Sequence, residues 1–205
     1  SNILVTLVDG RPSPKVIDFG IAKATKPSLT DRIAHTEVGR IMGTPEFMSP
    51  EQTGGGADID VRSDVYSLGV VLYQLLTGTL PFDARSLREA GTDGIAKIIC
   101  EFEPPKPSSR FSTLRREAVT RRKDATPAEI AQSHGTDPNS LQRELRGELD
   151  WIVMKCLEKD RTRRYGSAAD LAAEIRQYLG GGAVAAAPPS ATYRFNKFVR
   201  RHRVI

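Results

Sequence analysis

The stretch from Ser63 to Thr77 constrains the fold more than any other. It is nearly continuously apolar, and Gly78 follows it as a helix stop signal. Val65, Leu68, Val70, Val71, Leu72, Leu75 and Leu76 cover more than one face of a helix, where a surface helix would show a single stripe. Such a segment needs neighbours on several sides, so it predicts a buried central post in a helical body. A chain of 205 residues is long enough to supply that body and a core. Hydrophobic content of 39% and charge of 27% are ordinary for a soluble protein, and no apolar run is long enough to span a bilayer.

Around this post the sequence predicts further elements. Asn2 to Leu7 reads as a strand and Pro14 to Asp18 as its return, with Asp9-Gly10 and Pro12 supplying the turn. Residues 21–51 have few periodic apolar positions and read as a long exposed segment with functional content. Residues 86–101 form a helix with Leu87, Ile95, Ile98 and Ile99 as its apolar set, interrupted at Gly91 and Gly94. Residues 104–146 read as a polar, basic insertion, within which Thr126-Pro127-Ala128-Glu129 is a capping box. Glu148 to Glu158 is an amphipathic helix carrying Leu149, Ile152, Val153, Cys156 and Leu157 on one side. Ser167 opens a last helix that stops at Gly180, and residues 180–192 have a Gly/Ala/Pro linker composition. Residues 193–205 form a basic tail, with five Lys or Arg and no acidic residue within 194–203.

Charge divides unevenly. Residues 1–100 carry 10 Lys+Arg and 12 Asp+Glu, a net of −2, and residues 101–205 carry 20 and 13, a net of +7. For most of these arginines a solvated surface is the better reading than a nucleic-acid face. Cys100 and Cys156 have no metal-ligand spacing and are expected as buried or partly buried free thiols, and His35, His134 and His202 as surface residues.

The chemistry concentrates at the hairpin. An antiparallel return brings Asn2 beside Asp18, so an amide oxygen and a carboxylate converge, the donors that Mg²⁺ prefers when it also carries phosphate. Asp18 continues as Asp18-Phe19-Gly20. Further along stand Gly43-Thr44-Pro45-Glu46-Phe47-Met48-Ser49-Pro50-Glu51, then Asp64-Val65-Tyr66-Ser67-Leu68-Gly69 closed by Pro81-Phe82, then Asp160-Arg161-Thr162-Arg163-Arg164-Tyr165. Four motifs in this order, from residue 2 to 165, resemble the protein kinases. The resemblance implies a mainly α fold: a kinase large lobe, with a helical subdomain and a short β-hairpin, over residues 1–179, and an activation segment over 18–51. It also implies that the small lobe, with its Gly-rich loop and ATP-anchoring Lys, is missing, and that the catalytic Asp would lie about five residues before Asn2. The chain is therefore expected to be a fragment that is inactive by itself, from a parent enzyme that transfers the γ-phosphate of ATP to protein Ser/Thr hydroxyls.

The same resemblance assigns roles. Asp18 would bind the Mg²⁺ bridging the β- and γ-phosphates, and Asn2 a second Mg²⁺, so both would also be ATP-binding. Thr44 would position the substrate hydroxyl, and its Gly-Thr-Pro-Glu-Phe setting favours Ser/Thr over Tyr acceptors. Glu51 and Arg164 would form a buried ion pair, and Asp64 would accept N–H groups of the catalytic loop, all three as structural supports. Thr36, eight residues before Thr44, is the first candidate regulatory phosphosite, with Thr25, Ser28 and Thr30 as alternatives.

Residues 146–161 and 188–201 carry a narrower resemblance, to bacterial serine/threonine kinases of the planctomycete type. In that family the basic stretch precedes a transmembrane helix. This implies a cytoplasmic kinase domain at the inner face of the membrane, with contact to anionic lipid through residues 194–203. Two non-enzyme readings stand beside these. One is a pseudokinase scaffold, against which the retained Asn2 and Asp18 argue. The other is a helix-turn-helix over 129–145, which lacks a supporting third helix, so no nucleic-acid partner is expected.

Overall fold

The computed structural model describes residues 3–16, 44–53, 59–117 and 125–202. It separates into two units, residues 1–43 and 44–205.

In the first unit, β1 (Ile3–Val8) pairs antiparallel with β2 (Arg11–Val16), in a register that runs from Ile3–Val16 to Val8–Arg11. The loop is only Asp9-Gly10, and both take positive φ, 51° and 73°, the mirror-image turn that matches strand twist. The ladder is therefore tighter than the sequence predicts. Pro12 and Pro14 lie inside β2, which among the described residues has a partner on one edge only and so tolerates missing N–H donors.

The second unit is helical. Its centre is α2 (Val61–Thr77), which follows the short α1 (Pro50–Thr53). Asp60 caps α2 by accepting the Arg62 N–H at 2.8 Å, and Gly78 ends it at φ 72°. Val65, Tyr66, Val70 and Tyr73 are each at most 1% exposed, but Val61 is 60%, Leu68 37% and Leu75 66% exposed. The central post is thus open along one side rather than buried all round.

The expected helix over 86–101 is two, α3 (Ala84–Glu89) and α4 (Gly91–Glu101), because Gly91 takes φ 66°. The described parts of residues 104–146 reach the core of this unit. α5 (Pro107–Glu117), α6 (Pro127–Ser133) and α7 (Pro138–Glu144) deliver Phe111, Leu114, Ile130, Ala131 and Leu141 into the same core as Tyr66, Tyr73 and Leu76. The Thr126–Glu129 capping box forms in both directions, with the Thr126 N–H donating to Glu129 at 2.7 Å.

After α7 the chain bends at Arg146 and Gly147, where Gly147 has φ 103°, and re-enters a helix as α8 (Asp150–Cys156). The bend sets the apolar side of α8 against α2 and α9 (Ala168–Leu179). Val65, Ile152, Cys156, Tyr165, Leu171 and Val184 make a second cluster there. Val184 belongs to the stretch with linker composition, and it is 4% exposed. The basic tail begins as a helix, α10 (Ala191–His202). Cys156 is buried, and desolvation pushes its thiol up to about 12; Cys100 is exposed rather than buried. His134 lies on the surface with Nε2 3.0 Å from the Leu75 carbonyl oxygen.

Candidate functional site

The best-defined polar cluster joins α1, α2 and the segment before α9. Arg164 lies in the turn after α8, with its side chain 0% exposed. Its Nη1 and Nη2 donate to the two Glu51 oxygens at 2.8 and 2.9 Å, a two-pronged pair. Its remaining N–H groups go to the carbonyls of Glu158 (2.8 Å), Arg62 (3.1 Å) and Lys159 (3.2 Å), which satisfies all five donors. The guanidinium also faces the Tyr66 ring at 5.1 Å. Ser63 Oγ adds a 2.6 Å bond to Glu51 Oε1. Burial opposes the charge on Glu51, yet the hydrogen bonds from Arg164 and Ser63 outweigh it and hold the carboxyl at about 2.

This cluster fixes the loop that precedes α1. Thr44 is exposed and opens a 3₁₀ turn, Pro45–Phe47, by accepting the Phe47 N–H at 3.1 Å. Ser67 Oγ on α2 donates to the Phe47 carbonyl at 2.8 Å and pins the loop to the central helix. Ser49, where Ala is commoner in the resembling motif, is fully buried. Its N–H and Oγ lie 2.8 and 3.0 Å from Gln52 Oε1, a local lock on the start of α1. On the outer side, Arg88 Nη1 of α3 lies 3.1 Å from Glu46 Oε1.

Of the residues singled out from sequence, Glu51 and Arg164 are brought together and Thr44 lies on the loop they support. Asp64 is exposed in the first turn of α2. Asn2, Asp18 and Thr36, with Thr25, Ser28 and Thr30, lie outside the described residues. The hairpin ladder ends at the Ile3–Val16 pair, one position after Asn2 and two before Asp18.

Sequence reasoning missed several supports. Buried Asp150 accepts the Ser108 N–H at 2.9 Å and its hydroxyl at 2.6 Å, tying the start of α5 to α8. Lys159 donates to the Ile99 carbonyl at 2.6 Å and stands over the Phe82 ring, and its desolvation lowers the ammonium pKa. Glu174 accepts from the Tyr165 hydroxyl at 3.1 Å and the Ala186 N–H at 2.7 Å. Glu148 accepts from the Tyr193 hydroxyl and pairs with Lys197 at 2.7 Å, holding α10 to the bend before α8, while Tyr193 meets Trp151 edge-on. An acidic residue three positions after Ser167 does signal a cap, but nothing local in sequence marks Glu148 or Glu174 as latches.

The comparisons agree on one family. The protein kinase domain model matches residues 1–177. Serine/threonine-protein kinase pkn3 of Myxococcus xanthus is 44% identical over 119 residues, 56% of this chain and 21% of that protein. Serine/threonine-protein kinase PknB of Mycobacterium tuberculosis is 29% identical over 185 residues, 88% of this chain and 22% of its own length. A probable serine/threonine-protein kinase of Clostridium acetobutylicum is 30% identical over 178 residues, 85% of this chain and 20% of its own. The matched part of this chain thus spans about a fifth of each of these relatives. With the helical body, the fixed loop and the Glu51–Arg164 pair, the match places the chain in the protein kinase domain family, beside bacterial serine/threonine kinases.

Proposed function

We propose that the protein is a serine/threonine protein kinase and that residues 1–179 are the C-terminal part of its kinase domain, of the planctomycete type. The activation segment is 18–51, and residues 104–146 are an insertion whose described helices reach the lobe's core. The observation that carries this reading is the loop 44–51, exposed at Thr44 and held from beneath by Ser67 and by the buried Glu51–Arg164 pair. Such a loop is a rigid platform on which a peptide hydroxyl can be aimed, and positioning is most of what phosphoryl transfer asks of a protein.

The ladder's last described pair, Ile3–Val16, is one residue from Asn2 and two from Asp18 in sequence, which supports a shared role for them in holding Mg²⁺ with ATP. Mg²⁺ supplies charge neutralisation on the phosphates; the chain's part is to hold it and to present the acceptor. Asp64 stands on the open side of α2 with Val61 and Leu68, where it supports a contact with the catalytic loop. Thr36 is the favoured phosphosite. In the full-length enzyme given radiolabelled ATP, Mg²⁺ and a protein substrate, Asp18→Ala should abolish transfer and leave the melting temperature near wild type. Turnover above a small fraction of wild type would sink the metal assignment.

The tail adds a location. Among the described residues no helix is long and apolar enough to cross a membrane. The cluster of basic residues within 194–203 supports contact with an anionic leaflet at the cytoplasmic face, next to a following transmembrane helix.

A further inference from the structure

We propose that Arg88 determines which residues are accepted beside the acceptor hydroxyl, by masking Glu46 and turning that edge of the platform toward acidic neighbours. This rests on the reading of residues 44–51 as the surface that receives the acceptor peptide. Glu46 lies two positions after Thr44, and two residues of chain span at most about 7 Å. A side chain one or two places from an acceptor held at Thr44 therefore comes within range of Glu46. Left alone, that carboxylate would select Lys or Arg.

It is not left alone. Arg88 Nη1 donates to Glu46 Oε1 at 3.1 Å, and the Glu46 side chain is 8% exposed while that of Arg88 is 66% exposed. The cation is the member of the pair that meets solvent. A guanidinium has further N–H groups in a fork suited to a carboxylate, so it can hold Glu46 and still receive a peptide acid. Its neighbours on α3 are otherwise engaged. Arg85 pairs with Glu89 at 2.7 Å, and Asp83 accepts the Ser86 N–H and hydroxyl at 2.9 and 3.0 Å. The Arg88 end of the pair faces the solvent from which a peptide arrives, so its effect falls on recognition.

The test uses the full-length enzyme and two peptides that differ only in Glu or Lys at the positions flanking one acceptor serine. Wild type should prefer the Glu peptide in kcat/KM. Arg88→Ala should shift that ratio about tenfold toward the Lys peptide, by uncovering Glu46. Glu46→Gln combined with Arg88→Ala should flatten the ratio, and Arg88→Lys should restore the wild-type order. The preferences should shrink at high salt. An active Arg88→Ala enzyme with the wild-type ratio overturns this inference and leaves the kinase reading intact. A wild-type enzyme that phosphorylates neither these peptides nor any protein overturns both.

Discussion

Arg164 shows how one residue can be readable in role and unreadable in environment. Its place in the Asp160–Tyr165 motif is enough to expect a glutamate partner. The carbonyls of Glu158, Lys159 and Arg62 that take its other donors are not, because backbone acceptors carry no residue signature. Replacing Arg164 by Ala leaves Glu51 buried without its cation, so stability should fall by about 3–5 kcal/mol in urea unfolding. An unchanged midpoint would remove the pair from the account. The pair also sets a pH dependence. In the fold the Glu51 carboxyl is lowered from 4.5 to about 2. The unfolded chain therefore binds the proton more readily, and the stabilisation is fully present above about pH 4.5 and lost as pH falls toward about 2. Arg164→Ala should flatten that part of the acid-unfolding curve. Asp64 marks the other limit at this scale, since its role depends on groups outside the described residues.

Among the elements, those announced by caps and stops were legible: α2 ends at Gly78, α6 begins at its capping box, and α9 begins at Ser167. Less legible were the break at Gly91 and the bend at Gly147, since a glycine in sequence does not declare whether its positive φ is used. The polar look of 104–146 hid Phe111, Leu114, Ile130 and Leu141, spaced too widely for one stripe yet gathered by three short helices. Packing between elements was least visible. A Cβ at Gly69 would stand 2.4 Å from Cys156 Cβ and 3.3 Å from Leu157 Cδ2, so α2 and α8 approach through that missing side chain. Gly69→Ala should improve intrinsic helix propensity by up to about 1 kcal/mol and still destabilise by about 1–3 kcal/mol, because one helix must move. Stabilisation in thermal melts would show that the helices can part without cost.

At the scale of the molecule, composition does not reveal what holds the stretch after α9. Residues 180–190 have few large side chains, but Glu174 holds the Ala186 N–H and Tyr193 Oη the Val184 N–H, from partners distant in sequence. Glu174→Ala should expose the alanines of 183–187 to elastase; equal digestion of variant and wild type would mean that this bond does not hold the segment. The tail's charge makes a second whole-molecule prediction. Replacing Lys197, Arg200, Arg201 and Arg203 by Gln should abolish low-salt co-sedimentation with anionic vesicles, Lys197 contributing least because it is paired with Glu148 and each of the others about 1 kcal/mol. Retained binding would remove the membrane role. Lys197 has a second engagement, with Glu148, and that carries a mechanical consequence. A tether without contacts would absorb a pull at its far end, whereas α10 is joined through Tyr193 and Lys197 to Glu148, next to the Gly147 bend. A displacement of α10 would therefore be felt at α8, whose Asp150 grips the start of α5, and so at the core.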